Sequence, residues 1–228
     1  MAADRRQWLD AFKQLTPDNP LGSYLVAREC FKAGQKDQAV QELRASTGRP
    51  KFEDYSADFI RSTEEAWRAA GYPEAEAELF ASVLLRTQYL TELRFLGKNL
   101  VELADGYRQA GDQAAAQATL QFPLTLGQQL DQPSTFGFMR NLIGLEMQQK
   151  ALSAMDPTGP YDNGGQTIQG RLDEISRRHA TLLAMAQHWF AASETMPEQE
   201  LVAFFDRQKT AGSEGALRWL ANRQGLQR

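Results

Sequence analysis

The chain has 228 residues, of which 42% are hydrophobic and 24% are charged, and its formal net charge is −4. These values are ordinary for a folded globular protein, and they exclude a disordered or fibrous chain. The acidic balance lacks the basic surplus of a general nucleic-acid-binding protein, so we predict no nucleic-acid partner.

The apolar runs are too short for a membrane-spanning helix. The longest, around Leu79 to Leu85, has about seven residues, whereas a bilayer needs about 20. No membrane insertion is therefore predicted. The opening residues MAADRRQWLDAF are amphipathic and unlike a leader. We predict a cytoplasmic protein, with an exported protein whose leader was removed as the alternative.

Residues typical of helix starts and helix ends recur along most of the chain. In the first clear helix, Asn19 stands at the capping position, Pro20 at the first helical position and Gly34 at a left-handed end. No segment alternates with the period of two that a strand requires. The fold class is therefore predicted to be all-α. The same start signal recurs at Ser56 and Ser134, and the same stop signal at Gly71 and Gly111.

One pattern occurs three times, in the segments CFKAGQKDQAVQEL, WRAAGYPEAEAEL and YRQAGDQAAAQATL. Each segment has a bulky residue four positions before a glycine, an alanine four or five positions after it and a leucine eight or nine positions after it. The glycines recur at spacings of 37 and 40 residues, which is typical of helical arrays. The pattern predicts helix-turn-helix units in which alanine allows close packing of the second helix.

The first and third units resemble the tetratricopeptide repeat (TPR) family over roughly residues 20 to 130. The residues that carry the resemblance are Ala27, Gly34, Ala39, Leu43 and Pro50 in the first unit, and Ala104, Tyr107, Gly111, Ala116 and Leu120 in the third. The second unit has Glu64 at the position of a small residue. The resemblance implies a TPR-like α-solenoid whose first helices line a concave, peptide-binding face.

Carried over position by position, this resemblance gives a candidate peptide-binding set. Its residues are Tyr24, Arg28 and Phe31 from the first unit, Arg61, Glu65 and Arg68 from the second, and Lys98, Asp105 and Arg108 from the third. Arginine and aromatic side chains prevail in this set, and both are favoured at binding hot spots. An acidic or mixed peptide is the expected ligand.

Two positions in this region predict interruptions. A helix from Pro73 to Gly111 would be improbably long, so we predict a break between Arg86 and Lys98, with Gly97 as the best candidate. Pro123 is expected to interrupt or kink the following helix.

The last third of the chain predicts a long antiparallel helical hairpin and two short helices. The connection from Asp156 to Gly165 is too rich in Pro, Gly, Asp and Asn to be helical. The short helices would start near Pro197 and at Ser213. The predicted domains are residues 1–130 and 131–228, packed as one continuous unit. Helix-seam spacing marks Phe138, Leu142, Leu145, Gln149 and Leu152 before the connection, and Ile168, Leu172, Ile175, His179, Leu182, Ala186 and Trp189 after it.

Candidate catalytic and metal-binding residues are few. His179 and His188 lie nine residues apart on one predicted helix and point in opposite directions, so they cannot share a metal. The single cysteine, Cys30, excludes an internal disulfide and is expected to be a buried small hydrophobe. The acidic run from Glu74 to Glu78 is explained by stabilisation of a helix start. No cofactor, metal or catalytic residue is predicted.

Three classes of function follow from these observations. The first is a non-enzymatic interaction module that binds an unknown protein or peptide on the repeat face. The second is a self-assembling protein, in which Trp189 and Phe190 on the hairpin seam form a homodimer. The third is an enzyme or small-molecule binder with a cavity between helices. The sequence favours the first class.

Overall fold

A computed structural model describes residues 2–49, 52–85, 87–132, 137–162 and 164–223. These residues form ten α-helices and no strand, which confirms the predicted all-α class. The helices are α1 (Ala2–Leu15), α2 (Leu21–Lys32), α3 (Lys36–Ser46), α4 (Ser56–Ala69), α5 (Glu74–Leu84), α6 (Gln88–Gln109), α7 (Gln113–Leu130), α8 (Phe138–Ser153), α9 (Ile168–Ser193) and α10 (Glu198–Arg223). Within the described ranges, none of these helices combines the length and the apolar character needed to cross a bilayer.

The chain groups into two compact units, each assembled from three segments. The first unit comprises Met1–Asp54, Thr87–Leu130 and Ile143–Ile175. The second unit comprises Tyr55–Arg86, Asp131–Leu142 and Ser176–Arg228. The units thus interleave along the sequence. The predicted division into residues 1–130 and 131–228 stays a prediction.

The three repeated turns share one backbone geometry. Their glycines, Gly34, Gly71 and Gly111, have φ values of +74°, +90° and +84°. In each turn the glycine N–H donates to the carbonyl three residues earlier, and the next N–H donates to the carbonyl of the bulky residue four before the glycine. This is the Schellman ending of a helix. The repeated sequence pattern therefore encodes a repeated turn. The second bond measures 2.9 Å at Cys30, 3.2 Å at Trp67 and 2.9 Å at Tyr107.

Side chains reinforce these turns. In the second turn, the rings of Trp67 and Tyr72 meet edge to face with their centroids 4.7 Å apart. A hydrophobic contact between these two positions often accompanies a Schellman ending. The alanines of the pattern, Ala39, Ala75 and Ala116, are all buried. Small residues at these positions fit the close approach of the two helices in each pair.

The core of the first unit lies where α2 meets α3 and α6. The first helices of the first and third pairs, α2 and α6, pack directly against each other, and α1 packs on α2. The second pair, α4 and α5, belongs to the second unit, where α5 packs against α10. Cys30 is buried in the first core, as predicted. Buried residues of that core include Leu21, Val26, Ala27, Leu43, Leu93, Leu96, Leu100, Leu126 and Met147.

Asn19 stabilises the start of α2, which begins at Leu21, so Pro20 lies just before the helix and not, as predicted, at its first position. Asn19 Oδ1 accepts the Leu21 N–H at 3.1 Å, and Asn19 Nδ2 donates to the Glu53 carbonyl at 2.7 Å. We expect Asn19→Ala to lower the free energy of unfolding by about 1 to 2 kcal/mol, because it removes a cap and a buried donor. Urea unfolding followed by far-UV circular dichroism measures this loss. An equal loss in Asp18→Ala, at the exposed neighbouring position, would contradict the assignment.

The long helix expected after Pro73 is broken, but Gly97 does not break it. Helix α5 ends at Leu84 and α6 begins at Gln88, so the break lies at the N-terminal edge of the predicted interval. The prediction for Gly97 is wrong, since this residue is buried inside α6. A Cβ at Gly97 would lie 2.7 Å from Met147 Cε. The glycine therefore permits a close packing contact.

Two further local predictions need correction. Helix α7 continues through Pro123, so the predicted interruption is wrong, whereas the alternative, a kink, stays a prediction. The buried residues Leu120 and Leu124 lie on either side of the proline. Ser56 is the first residue of α4, because Tyr55 occupies the capping position with φ of +58°. The predicted start at Ser134 lies outside the described residues.

The Pro- and Gly-rich connection separates α8 from α9, as predicted. Helix α8 ends at Ser153 and α9 begins at Ile168. The chain doubles back between them, with the Ile168 N–H donating to the Gly159 carbonyl at 3.0 Å and an antiparallel bridge joining Pro160 to Thr167. Packing of α8 along α9 as a hairpin stays a prediction. Buried seam residues are Leu142, Leu145, Leu152, Ile168, Ile175, Leu182, Ala186 and Trp189, whereas His179 is half-buried.

Gly212 divides α10 into the two helices that were predicted there. Its φ of +73° and ψ of 170° lie in a region that is essentially limited to glycine. The first helix follows Pro197 directly. Ser213 begins the second, and its hydroxyl accepts the Gly137 backbone N–H at 2.9 Å and the Gln208 Nε2 at 3.0 Å.

Candidate interaction surface

A polar surface with one accessible aromatic ring lies where α2 and α6 pack side by side. Glu92, Phe95 and Asn99 follow one another on α6 at spacings of three and four residues, so they share one face of the helix. Arg28 on α2 contacts all three side chains. We call these four residues the α2–α6 surface.

Arg28 is held firmly in this surface. Its Nε donates to Glu92 Oε2 at 3.1 Å, and its Nη1 donates to Asn99 Oδ1 at 2.9 Å. The guanidinium carbon lies 5.2 Å from the centroid of the Phe95 ring, within the range of a cation–π contact. The Arg28 side chain is only 15% exposed, whereas Phe95 is 48% exposed. The nearly buried guanidinium of Arg28 thus holds the exposed Phe95 ring in place.

The charges around Glu92 keep this carboxylate ionised. Lys32 Nζ lies 2.9 Å from Glu92 Oε2, and Arg5 Nη2 lies 3.9 Å from Glu92 Oε1. Burial alone would raise the pKa of Glu92, but Lys32, Arg28 and Arg5 outweigh it and lower the pKa below its ordinary value. The three cations face two carboxylates, Glu92 and Glu29. These five groups therefore carry one net positive charge.

Six of the nine predicted binding residues lie on these two helices: Tyr24, Arg28, Phe31, Lys98, Asp105 and Arg108. Arg28 belongs to the α2–α6 surface itself. Phe31 is partly buried and packs against the core of the first unit. Lys98 is exposed and lies 3.6 Å from Glu102, its neighbour one turn along α6. An arginine beside an exposed aromatic ring is a combination typical of protein-binding hot spots.

Tyr24 is a core residue. It is 4% exposed, and its hydroxyl donates to Gln129 Oε1 at 2.7 Å. Burial raises the pKa of Tyr24 to about 12, although hydrogen bonds with Ser46 and Gln129 oppose the rise. The hydroxyl therefore stays protonated and serves the packing of the first unit.

Asp105 and Arg108 lie near the end of α6, beside a pocket of the first unit. Arg108 Nη2 donates to the Ala154 carbonyl at 2.8 Å and lies 3.3 Å from Asp105 Oδ1. The pocket has a volume of about 360 Å³. Among the described residues that line it there is no histidine, cysteine, serine or lysine. These residues are Arg108, Gln113, Ala116, Gln117, Leu120, Ala154, Met155, Asp156, Gly159, Pro160 and Ile168.

The three predicted residues of α4 lie in the second unit. Arg61 forms an exposed ion pair with Asp58, and Glu65 is exposed. Arg68 lies 3.2 Å from Glu74 Oε1 on the next helix. Arg68 therefore takes part in the internal ion pairing of this unit.

Next to Arg68 is a group of four charges that sequence reasoning missed, in which two buried carboxylates meet two partly exposed cations. We call it the Lys209 cluster: Glu64, Arg68, Glu78 and Lys209. Lys209 Nζ contacts Glu78 Oε1 and lies 3.3 Å from Glu64 Oε2. Arg68 Nη2 lies 3.5 Å from the same Glu64 oxygen and 3.7 Å from Glu78 Oε1. Glu78 is fully buried, and the Glu64 side chain is 8% exposed.

Burial and ion pairing act in opposite directions on this cluster. Burial raises the pKa of Glu78, and the hydrogen bond and charge of Lys209 do not cancel this effect. Burial would lower the pKa of Lys209, but Glu78 and Glu64 outweigh it and raise that pKa. Lys209 is therefore a fixed cation, whereas the charge of Glu78 is disfavoured.

The residues proposed for a homodimer seam divide into buried and exposed ones. Leu182 is 1% exposed, and Trp189 stacks on Phe204 of the same chain with centroids 3.7 Å apart. Phe190 is 56% exposed and meets the Phe138 ring edge to face. Phe190, and not Trp189, is therefore the seam residue that a second copy could reach.

The site residues that the sequence analysis missed differ in whether a sequence pattern could have revealed them. Glu92, Phe95 and Asn99 are spaced by three and four residues on α6, and Phe95 lies three residues before the predicted Lys98, so their face could have been identified. Lys209 lies 131 residues from Glu78, and no spacing rule connects them. In the described part of the chain, no three His, Cys, Asp or Glu side chains are grouped to hold a metal ion.

The geometry thus defines an all-α protein with an accessible aromatic ring held by an arginine in its first unit and an ion cluster around two buried carboxylates in its second. No family model matches the chain, and neither a curated protein nor a solved structure shows significant similarity to it.

Proposed function

We propose that the protein is a non-enzymatic interaction module, built on TPR-like helix pairs, that binds a peptide or helix of a partner protein at the α2–α6 surface. The observation that carries this proposal is the half-exposed Phe95 ring anchored by Arg28. Large exposed apolar side chains with a rigid polar surround favour protein contacts. The three identical Schellman turns support the repeat-like part of the proposal.

The charges around the surface support a proposal for the chemistry of the partner. Because Arg5, Arg28 and Lys32 exceed Glu29 and Glu92 by one charge, a carboxylate near the ring is favoured. The Phe95 ring offers an apolar contact. The expected ligand is therefore a segment with an apolar side chain next to an acidic one.

Phe95→Ala is expected to weaken partner binding about thirtyfold, the loss that corresponds to a hot-spot contribution of about 2 kcal/mol. Stability should change little, because half of the ring is already exposed. The partner is first captured from a lysate of the protein's own source and purified. Calorimetric titration then compares its affinity for the wild type and for the variant.

Phe190→Ala provides a matched control, since it removes another half-exposed phenylalanine from the second unit. This variant should bind the partner normally. The exposure of Phe190 also favours a second candidate function, self-association through that ring. Light scattering separates the two: a wild-type dimer that Phe190→Ala dissociates, with Phe95→Ala unaffected in all assays, would replace the interaction-module proposal.

A further inference from the structure

Glu78 places an unpartnered oxygen in the interior of the second unit. Its side chain is fully buried. Lys209 contacts Oε1, whereas Oε2 has no hydrogen-bond partner among the described residues. An ionised carboxylate in such a position is costly, because one of its oxygens has lost its hydrogen bonds to water without gaining others.

The cations that face Glu78 lie near only one of its two oxygens, Oε1. Helix α4 contributes Glu64 and Arg68, α5 contributes Glu74, and α10 contributes Lys209. With Glu78 itself, three carboxylates face two cations. The distance of 3.7 Å from Arg68 to Glu78 is too long for a good hydrogen bond. The Glu74 side chain is 61% exposed, so inside the packing Glu64 and Glu78 face Arg68 and Lys209, and Glu78 Oε2 has no hydrogen-bond partner among the described residues.

We propose that Glu78 is a proton-binding site, and that its protonation strengthens the packing of α4, α5 and α10 as the pH falls. A proton on Oε2 neutralises the buried carboxylate and converts the unpartnered oxygen into a neutral hydroxyl. Lys209 then shares its remaining ion pairing with Glu64, from which it lies 3.3 Å. This device lies in the second unit and does not depend on the α2–α6 surface, so either proposal can fail alone.

The sign of the pH dependence follows from the direction of the pKa shift. The pKa of Glu78 is raised above its ordinary 4.5 in the folded protein, chiefly by burial. Above pH 4.5 the unfolded chain loses this proton while the folded chain retains it, so stability falls as the pH rises through the window between the two pKa values. Glu214, in the same unit, has a lowered pKa, because Arg218 and Arg178 outweigh the effect of burial. Its window lies below 4.5 and does not overlap.

Tryptophan fluorescence can follow the second unit, since Trp67, Trp189 and Trp219 all lie in it. Urea unfolding is measured from about pH 5 to about pH 8 for the wild type and for Glu78→Gln. Between those limits, the wild-type folding equilibrium constant should fall by up to about tenfold per pH unit inside the window. Glu78→Gln should lose this slope. Glu65→Gln, at an exposed site on α4, should retain it.

A second measurement protects the proposal against a variant that does not fold. Carbon-13 NMR of the side-chain carboxyl groups follows the titration of Glu78 in the wild-type protein. Titration of Glu78 above the range of exposed glutamates supports the proposal. Titration at or below that range, or an unchanged pH slope in a folded Glu78→Gln protein, overturns it.

Discussion

Gly127→Ala is expected to destabilise the first unit by about 2 kcal/mol, which is within the usual cost of overpacking. A Cβ at this position would lie 2.7 Å from the Gly144 carbonyl oxygen, 2.8 Å from Gln148 Cγ and 3.1 Å from Gln148 N. Two of these three atoms belong to the backbone of α8. They cannot rotate away as a flexible side chain could, so α7 and α8 must separate.

Two other helix glycines of the same unit provide graded controls. A Cβ at Gly106 meets no atom within 4 Å, so Gly106→Ala should stabilise the protein by up to about 1 kcal/mol through helix propensity. A Cβ at Gly97 meets only the flexible Met147 side chain, so Gly97→Ala should change stability little. Urea unfolding by circular dichroism, with hydrogen exchange of α7 and α8, compares all three. Similar behaviour of Gly127→Ala and Gly106→Ala would refute the close approach of α7 and α8.

Lys209→Met is expected to destabilise the second unit by about 3 kcal/mol. This value is the lower end of the cost of breaking a buried ion pair, because Lys209 is itself partly exposed. The substitution leaves Glu64 and Glu78 close together with only the more distant Arg68 as a cation. Urea unfolding followed by tryptophan fluorescence measures the loss.

The double variant Glu78→Gln with Lys209→Met tests the cause of that loss. Removing the buried carboxylate as well should recover most of the stability, and a double-mutant cycle measures the coupling. Arg61→Met is the matched control, since it breaks an exposed ion pair of the same unit and should have little effect. A loss that Glu78→Gln does not relieve would show that Lys209 acts by packing and not by charge.

The turns could be predicted because their requirements are local. A Schellman ending depends on one glycine and on residues four before it and one after it, and the three copies made the pattern readable. Gly97 shows the limit of the same reasoning. A glycine within a helical pattern marks either a break or a close contact, and only the position of Met147 decides between them.

The two sites were predictable to different degrees. Arg28 could be selected from the repeat pattern. Phe95 could be recognised as a surface residue only because the leucines around it occupy the core face of α6. The sequence has a glutamate, Glu64, at a position where the repeat pattern expects a small residue. This departure from the pattern was a sign of the Lys209 cluster. Its partner on α10 is set by tertiary folding, which no spacing in one sequence reveals.

The repeated turns also affect how much of this sequence can change in evolution while the helix pairs are kept. No atom lies within 4 Å of a Cβ placed at Gly34, Gly71 or Gly111, so these positions require a left-handed backbone and not empty space. Asparagine, which adopts that backbone more readily than other residues with a side chain, should be the replacement with the smallest cost. A helix pair of this kind therefore has high mutational robustness, since its turn can survive while most of the surrounding sequence drifts.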